Sequence, residues 1–381
     1  MLHAYDEHGR LTTIYQNSPA VLKKLKKNAE FFCPTCNETL IIRFGRKVTP
    51  HFAHLPSSTC EVKSRGESTY HEGGKWLLYQ WLNNQGYQVV VEPYLSEINQ
   101  RPDILLTIDG KKAAIELQCA SIPAKDVMNR TQGYRKAGIF PLWILGRNQL
   151  KRKGKYILQL DQFHKEMIYS FQSQYCMYYL DVEGKAIITA GQIRGASLTT
   201  SFSTFQTTPL PHIKFPHLFK PSYSSIHPFY LMWEKQMYQF RTVYRNAASM
   251  SKERNWRQML YLRGYHYSLI PSACYLPVRN QQFCEEAPYV WQSRFILQYY
   301  MPRSIGDVIT FPHKYLRSAV NAGQSDSIYK EYLLQLGKLG YVEEREGNWI
   351  KKREILFHTH SEKAVKEDKQ IMNKLKLKQE F

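Results

Sequence analysis

The sequence lacks several features that would assign it to a common class of protein. It has no run of about eighteen or more apolar residues, which excludes a conventional membrane-spanning helix. Its start, MLHAYDEHGR, is polar and lacks the basic-then-apolar order of a secretory signal, so we expect a cytoplasmic protein. Neither G-x-G-x-x-G after a predicted strand nor G-x-x-x-x-G-K-[ST] is present. Hydride transfer and nucleoside-triphosphate chemistry are therefore not supported.

Cysteine and acidic residues are both scarce. The seven cysteines, an odd number, favour a reducing compartment and a metal site over a framework of disulfides. Asp and Glu number 32 against 52 Lys and Arg, which gives a net charge of +20. A positive field of this size favours polyanions, and the 27 tyrosines supply rings that stack on bases. The composition predicts contact with nucleic acid, since the sequence shows no amphipathic anchor for a membrane surface.

The chain has enough length and apolar content for several folded domains, with 381 residues of which 43% are hydrophobic. We expect a small β unit with a metal knuckle over residues 1–62 and an α/β domain over residues 63–170. Residues 171–381 are predicted to form an aromatic-rich, mostly helical region with a basic tail. Within that region, YKEYLLQLGKLGYVEEREGNWIKK favours a helix followed by a β-hairpin.

A cluster of cysteine and histidine residues lies in the first region. Cys33 and Cys36 form a C-x-x-C pair, and His51, His54 and Cys60 follow across a predicted hairpin. Two ligand pairs around a hairpin are typical of small structural zinc sites, in which thiolates are the preferred ligands. Five candidates compete for four positions. We expect Zn²⁺ to be held by Cys33, Cys36, His54 and Cys60, with His51 in reserve.

The second region alternates helical and strand patterns. A helix is predicted over residues 67–86, and three strands follow at QVVVEPYL, DILLTIDG and AAIELQCA. A second helix, PAKDVMNRTQGYRKAG, precedes the apolar strand FPLWILG over residues 140–146. A helix between the third and the last strand allows a parallel crossover, so we expect an α/β fold.

Two acidic residues interrupt this apolar pattern. Glu116 lies inside a strand on the same face as Gln118, and Asp103 opens the preceding strand. A hairpin can bring Asp103 opposite Glu116, and two close carboxylates repel unless a divalent cation lies between them. Oxygen ligands of this kind suit Mg²⁺ or Mn²⁺.

The preceding helix places further polar groups on its core-facing side. Glu67, His71 and Lys75 share a stripe with two leucines, at the helical spacing of four. They would supply a third metal ligand, a proton carrier and a cation. Each residue alone also fits a structural role as a cap or an ion pair, but together they favour a site for phosphodiester hydrolysis.

PD at 102–103 with ELQ at 116–118 resembles the PD-(D/E)xK nuclease motif, with Gln118 at the place of the lysine. More narrowly, CPTC, HFAH, ESTYHEGGK, RPDI, IELQCAS, RTQGYRKAG and PLWILG, in this order over about residues 30–146, resemble segments of the competence protein CoiA family. The resemblance implies a restriction-endonuclease-like core and a cytosolic nuclease-like protein acting on DNA taken up during transformation. It implies the strand-exchange recombinase or other competence proteins as partners.

The motif resemblance also implies residue roles. Asp103 and Glu116 would hold Mg²⁺ or Mn²⁺, Glu67 would complete the shell, and Gln118 would position water. Because an uncharged Gln118 cannot stabilise an oxyanion as lysine does, Lys75 is the candidate substitute.

Arg130 and Tyr134, four residues apart on the second helix, loosely resemble the Gln-x-x-x-Tyr element of some exonucleases of this superfamily, which meets DNA near the metal. A surface arginine with a packed tyrosine is the alternative. The residues that we expect to contact DNA are Arg130, Tyr134, Arg135, Arg147, Lys151, Arg152 and Lys153.

Two functions remain open from the sequence. The first is a metal-dependent nuclease that acts on single-stranded or branched DNA. The second, motivated by Gln118, is a DNA-binding recombination accessory that does not cut.

Overall fold

The computed structural model describes residues 3–14, 17–33, 36–45, 48–58, 60, 69–172, 174–220, 228–243, 252–311 and 328–378. The chain divides into two compact units, each made of three segments. The segments of the first unit are Met1–Lys151, Met177–Ala190 and Phe205–Pro221. The segments of the second unit are Arg152–Cys176, Gly191–Thr204 and Ser222–Phe381.

Helices and strands occur in both units. The strands are β1 His3–Asp6, β2 Leu11–Thr13, β3 Phe31–Phe32, β4 Thr39–Gly45, β5 Val48–His54, β6 Gln88–Val91, β7 Ile104–Ile108, β8 Lys111–Gln118, β9 Ile139–Gly146, β10 Ile157–Gln159, β11 Tyr169–Phe171, β12 Gln174–Asp181, β13 Ala186–Gly195, β14 Thr200–Pro209, β15 Val342–Arg345 and β16 Asn348–Lys351. The α-helices are α1 Pro19–Asn28, α2 Thr69–Asn83, α3 Ala124–Lys136, α4 Gln162–Glu166, α5 Phe229–Thr242, α6 Lys252–Tyr261, α7 Pro288–Phe295, α8 Ile328–Lys338 and α9 Ser361–Leu377. In the described ranges, no helix combines the length and the apolar character that crossing a bilayer requires.

The N-terminal part of the first unit is an antiparallel sheet with the order β2-β1-β3-β4-β5. The predicted hairpin is confirmed, with Leu40 of β4 opposite His54 of β5, while residues 46 and 47 between the two strands lie outside the described residues. Helix α1 follows Ser18, whose hydroxyl accepts from the backbone N–H of Val21 as an N-cap. Buried aliphatic and aromatic side chains fill the space between the sheet and this helix.

The rest of the first unit has the predicted order of helix, three strands, helix and strand. Strands β6, β7 and β8 pair antiparallel, and β8 pairs parallel with β9 after the crossover through α3. Beyond residue 170, β12 adds to β9 in parallel and β13 returns antiparallel, so the sheet continues. The mixed α/β architecture predicted from the sequence is confirmed.

Two local features set the pairing of β7 with β8 and the approach of α2 to β8. Asp109 and Gly110, between the two strands, have φ values of +49° and +74°, the left-handed pair that a tight type I′ hairpin requires. On the helix, a Cβ at Gly74 would lie 2.3 Å from Leu117 Cδ2. Glycine therefore lets α2 approach β8 closely, near the strand end that carries Glu116.

The helical C-terminal region predicted from the sequence is confirmed, and in the second unit its helices surround an aromatic core. Its fully buried side chains include Trp233, Trp256 and Tyr332. Helix α8 is followed by the hairpin of β15 and β16, which confirms the predicted helix and hairpin. The basic tail forms α9 and buries one face that contains Ile371 and Leu375.

Candidate active site and metal centre

Asp103 and Glu116 face each other at the open end of the β7–β8 hairpin. The paired register of the two strands ends with Ile104 opposite Ile115, so the next step along the antiparallel ladder places Asp103 opposite Glu116. The backbone N–H of Leu117 donates to Asp103 Oδ2 at 2.8 Å, which ties the carboxylate to β8. The predicted pairing of these two acids therefore follows from strand register.

His71, on the first turns of α2, contacts Asp103. Its Nε2 lies 3.3 Å from Asp103 Oδ2, and both side chains are 15% exposed. Burial alone would raise the pKa of Asp103, but the hydrogen bond and charge of His71, the charge of Lys75 and the N–H of Leu117 together hold it below its ordinary value. Asp103 is therefore ionised at neutral pH.

The pKa of Glu116 is displaced in the opposite direction from that of Asp103. It is 3% exposed, and burial raises its pKa to about 8, with the charge of Arg130 opposing and the charge of Asp103 adding to the rise. Two facing carboxylates with pKa values displaced in opposite directions are typical of functional sites. This carboxyl group therefore tends to be protonated at neutral pH unless positive charge beyond that of Arg130 lies close to it.

Helix α3 supplies the partners of Glu116. Both Arg130 Nη2 and the Tyr134 hydroxyl donate to Glu116 Oε1. The Arg130 guanidinium also lies 5.6 Å from the centre of the Trp143 ring and remains 35% exposed. Tyr134 is fully buried, so the direct contact with DNA predicted for it does not fit the structure. Its hydroxyl instead positions the carboxylate.

Lys75 is fully buried and lies close enough to Asp103 for its charge to lower the pKa of that acid. Its ammonium donates to Glu72 Oε1 at 2.9 Å and to Glu92. Because two glutamates already engage it, it is poorly placed to act on a phosphate. Glu92 was not predicted from the sequence. Its φ of +51° turns the end of β6 so that its backbone N–H donates to Asp103 O at 3.0 Å.

The remaining predicted residues lie around this centre or outside the described part of the chain. The side-chain amide of Gln118 donates to Ala120 O at 2.6 Å. Glu67 lies outside the described residues. Arg147 Nη1 donates to Asp181 Oδ2 at 2.6 Å while its side chain stays 59% exposed. The other predicted DNA contacts that are exposed are Arg135, Lys151, Arg152 and Lys153.

A separate group of ligand atoms converges in the N-terminal sheet. The ligand atoms of Cys33, Cys36, His54 and Cys60 all lie within 4.8 Å of one another. Within the described ranges no other His, Cys, Asp or Glu residues form such a group, so Asp103 and Glu116 have no third converging ligand there. The four residues are the set selected from the sequence, and His51 is not among them.

This Cys₃His donor set fits zinc. Burial and the nearby thiols of Cys60 and Cys33 raise the pKa of Cys36 to about 12, against the opposing effect of the Glu38 backbone N–H. Thiolates so placed need a cation to be stable. Three thiolates and one imidazole at this separation match tetrahedral structural zinc, so the cluster can bind that ion.

Comparisons with known proteins cover most of the chain. Family models match residues 14–63 as the N-terminal domain, residues 67–223 as the nuclease-like domain and residues 230–365 as the C-terminal domain of competence protein CoiA. Competence protein CoiA of Bacillus subtilis (strain 168) is 33% identical over 276 residues, which span 71% of this chain and 72% of that protein. The chain belongs to the competence protein CoiA family.

The Cys₃His cluster and the pair of acids lie in different CoiA domain matches. The match to the CoiA N-terminal domain contains all four residues of the Cys₃His cluster. The match to the CoiA nuclease-like domain contains Asp103, Glu116 and the α3 residues that bind Glu116. The facing carboxylates thus belong to the part of CoiA that is nuclease-like.

Proposed function

We propose that this CoiA-family protein is a divalent-metal-dependent deoxyribonuclease that acts on incoming single-stranded or branched DNA during transformation, in the cytoplasm. The observation that supports the proposal is the facing pair Asp103 and Glu116, at the end of a β-hairpin within the nuclease-like match. Their opposite pKa displacements and their low exposure distinguish them from ordinary surface acids.

The donor set suits Mg²⁺ or Mn²⁺. Among the described residues, hydrogen bonds reach Asp103 only at Oδ2 and Glu116 only at Oε1. Asp103 Oδ1 and Glu116 Oε2 are therefore the oxygens that we expect to hold the ion, with Glu67 as a further ligand. A bound ion of this kind lowers the pKa of its water and neutralises charge on the phosphate.

The chain's own residues complete the site. His71 would hold Asp103 in orientation and carry a proton. Gln118, at the end of β8, the strand that carries Glu116, would orient water. Arg130 is the cation beside Glu116 that reaches solvent, since Lys75 is fully buried between Glu72 and Glu92. We therefore assign to Arg130, in place of Lys75, the stabilisation of negative charge on the phosphate.

Exposed cations within the nuclease-like match would hold the DNA strand. Arg135, Arg147, Lys151, Arg152 and Lys153 are exposed, and a net charge of +20 attracts the polyanion over a long range. The strand-exchange recombinase and other competence proteins are the proposed protein partners, on the ground of family membership alone.

A second candidate function is a DNA-binding recombination accessory that does not cut. It is favoured by Gln118 in the lysine place and by the ion pair between Arg130 and Glu116, which satisfies part of the charge that a metal would neutralise. In this case the same basic surface would bind DNA and the carboxylates would be structural.

A cleavage panel separates the two functions. Labelled single-stranded, duplex and forked DNA are incubated with the full chain and Mg²⁺, Mn²⁺ or no divalent ion. The nuclease predicts products that require the ion. Tight, salt-sensitive binding with no product on any of the three substrates would favour the accessory.

A further inference from the structure

Three cations of the second unit come from distant parts of the sequence. Arg194 lies on β13, Arg279 lies in the loop before the 3₁₀ turn Gln281–Phe283, and Lys338 ends α8. The backbone N–H of Gly195 donates to Gln282 Oε1 at 3.2 Å, and a Cβ at Gly195 would lie 2.2 Å from Gln282 N. Strand β13 and the loop that carries Arg279 are therefore in direct backbone contact.

Aromatic rings, rather than carboxylates, hold the two arginines. The guanidinium carbon of Arg194 lies 4.6 Å from the centre of the Phe229 ring, and that of Arg279 lies 5.2 Å from the centre of the Tyr175 ring. Stacking on a ring fixes the plane of a guanidinium but leaves its N–H donors at the edge for another acceptor. Arg194 is half-buried and Arg279 is exposed, so both can reach a ligand from solvent.

These cations have no acidic partner in the described part of the chain. Within those residues, no carboxylate oxygen lies within 4.0 Å of Arg194, Arg279 or Lys338. The acid that the adjoining residue Asn280 engages is Glu331, which accepts from the Asn280 backbone N–H at 3.0 Å and from its side-chain amide. This glutamate therefore accepts from the neutral amide groups of the residue next to Arg279.

The three cations also act on one another. The pKa of Arg194 is lowered first by burial and also by the charge of Arg279, against the opposing effect of Tyr230. The pKa of Lys338 is lowered by burial and then by the charge of Arg194. Like charges that are partly buried together are costly unless an anion lies among them.

We propose that Arg194, Arg279 and Lys338 form a phosphate clamp for a DNA strand in the second unit. Stacked arginines present paired donors to phosphate oxygens, and the lysine adds a point charge. Tyr230 lies beside Arg194, so a ring is at hand for a base of the same strand. The inference rests on the proposed function only in taking DNA as the polyanion, because the clamp itself needs no cleavage.

The test is the binding of a fluorescein-labelled thymidine oligonucleotide to the full chain, followed by anisotropy without added Mg²⁺ or Mn²⁺. The variant is Arg194→Gln with Arg279→Gln. The matched control is Arg263→Gln with Lys363→Gln, which removes two exposed cations elsewhere in the same unit. Each lost phosphate contact to a single strand reduces the steepness of the fall of log K with log salt by about 0.7. Two lost contacts therefore predict a loss of about 25-fold in affinity at about 0.1 M salt.

The result that supports the clamp is a shallower salt slope in the double variant, with the control double variant close to wild type. Equal slopes and affinities in the two double variants would overturn it. Because Arg279 is exposed, Arg279→Gln alone keeps the test valid if the double variant is poorly folded, with an expected slope change of about 0.7. Binding of inorganic phosphate that is lost in the double variant, with no difference in oligonucleotide affinity between the double variant and wild type, would overturn the assignment to a strand.

Failure of the clamp and failure of the proposed nuclease are distinguishable. The nuclease is judged by ion-dependent product and by the carboxylates of the first unit. The clamp is judged by affinity and salt slope in the absence of cleavage, with those carboxylates intact.

Discussion

The Tyr134 hydroxyl donates to Oε1 of Glu116, and both side chains are buried. Arg130, one turn earlier on the same helix, donates to the same oxygen. Two residues four apart on α3 thus determine the position and much of the electrostatic environment of one carboxylate on β8. This relationship gives the arginine–tyrosine pair a role inside the site, where a resemblance to a DNA-contacting element had suggested a role at its surface.

Replacing the buried hydroxyl tests this role. A hydrogen bond to a charged group is worth about 1.5–3 kcal/mol, so Tyr134→Phe should lower the rate of cleavage about tenfold or more. DNA affinity should stay close to wild type, because the hydroxyl does not reach DNA. Tyr94→Phe is the control, since Tyr94 is 59% exposed and bonds only Asn99 among the described residues. Weaker DNA binding with an unchanged cleavage rate would instead favour direct contact.

Lys75 offers a test of stability rather than catalysis. Lys75→Met leaves Glu72 and Glu92 without the buried ammonium that bridges them, and breaking a buried ion pair costs about 3–5 kcal/mol. We expect a lower denaturation midpoint, partly restored by adding Glu72→Gln and Glu92→Gln. The exposed Lys125→Met on α3 is the control. A variant that keeps the wild-type midpoint but loses cleavage would return Lys75 to the catalytic role predicted from the sequence.

Strand and hairpin patterns were enough to predict the α/β order, because local chemistry carries the information. Asp109 and Gly110 mark the hairpin that sets Asp103 opposite Glu116, and cysteine and histidine spacing marks the zinc cluster. The contact of Lys75 with Glu92 could not be predicted in this way. Glu92 reaches Lys75 from a turned strand end, which no periodic pattern encodes.

The direction in which the side chains of α3 point could not be predicted from the sequence either. Helical spacing places Arg130 and Tyr134 on one face, but the side of the sheet that this face meets depends on the parallel crossover and on packing against β9. The same holds for the clamp of the second unit, where residues 194, 279 and 338 are far apart in sequence. Only the folded chain brings such residues together.

The Cys₃His cluster predicts bound zinc. Purified protein should carry one equivalent of zinc by elemental analysis, and Cys36→Ser or His54→Ala should lose it and destabilise the N-terminal sheet. His51→Ala should retain the metal, because His51 is not among the four converging ligands. Cys176→Ser, at a buried cysteine outside the cluster, is the matched control for thiol loss. Full zinc content in Cys36→Ser protein would contradict the assignment.

An ion pair in the second unit predicts a pH effect on stability. Burial would raise the pKa of Glu367, but His358, whose Nε2 lies 3.1 Å from its Oε2, and the Tyr341 hydroxyl hold it below the ordinary 4.5. A depressed acid pKa gives stability that is present above the unfolded value and is lost as pH falls through the folded one.

Thermal unfolding of wild type and Glu367→Gln measures that contribution. The wild type should be the more stable protein above pH 4.5, and the gap should shrink as the pH falls below it. Glu362→Gln removes an exposed carboxylate from the same helix and should show no such convergence. A gap that stays constant across acidic pH would exclude the contribution of this pair.

The facing acids Asp103 and Glu116 carry the proposed activity, and their isosteric removal tests it most directly. Wild type, the Asp103→Asn Glu116→Gln double variant and the exposed control Asp126→Asn are compared for DNA cleavage with Mg²⁺ and Mn²⁺, alongside DNA affinity without either ion. We predict that the double variant loses ion-dependent cleavage and keeps its affinity, while the control retains both. Cleavage that persists in a nuclease-free preparation of the double variant would contradict the assignment.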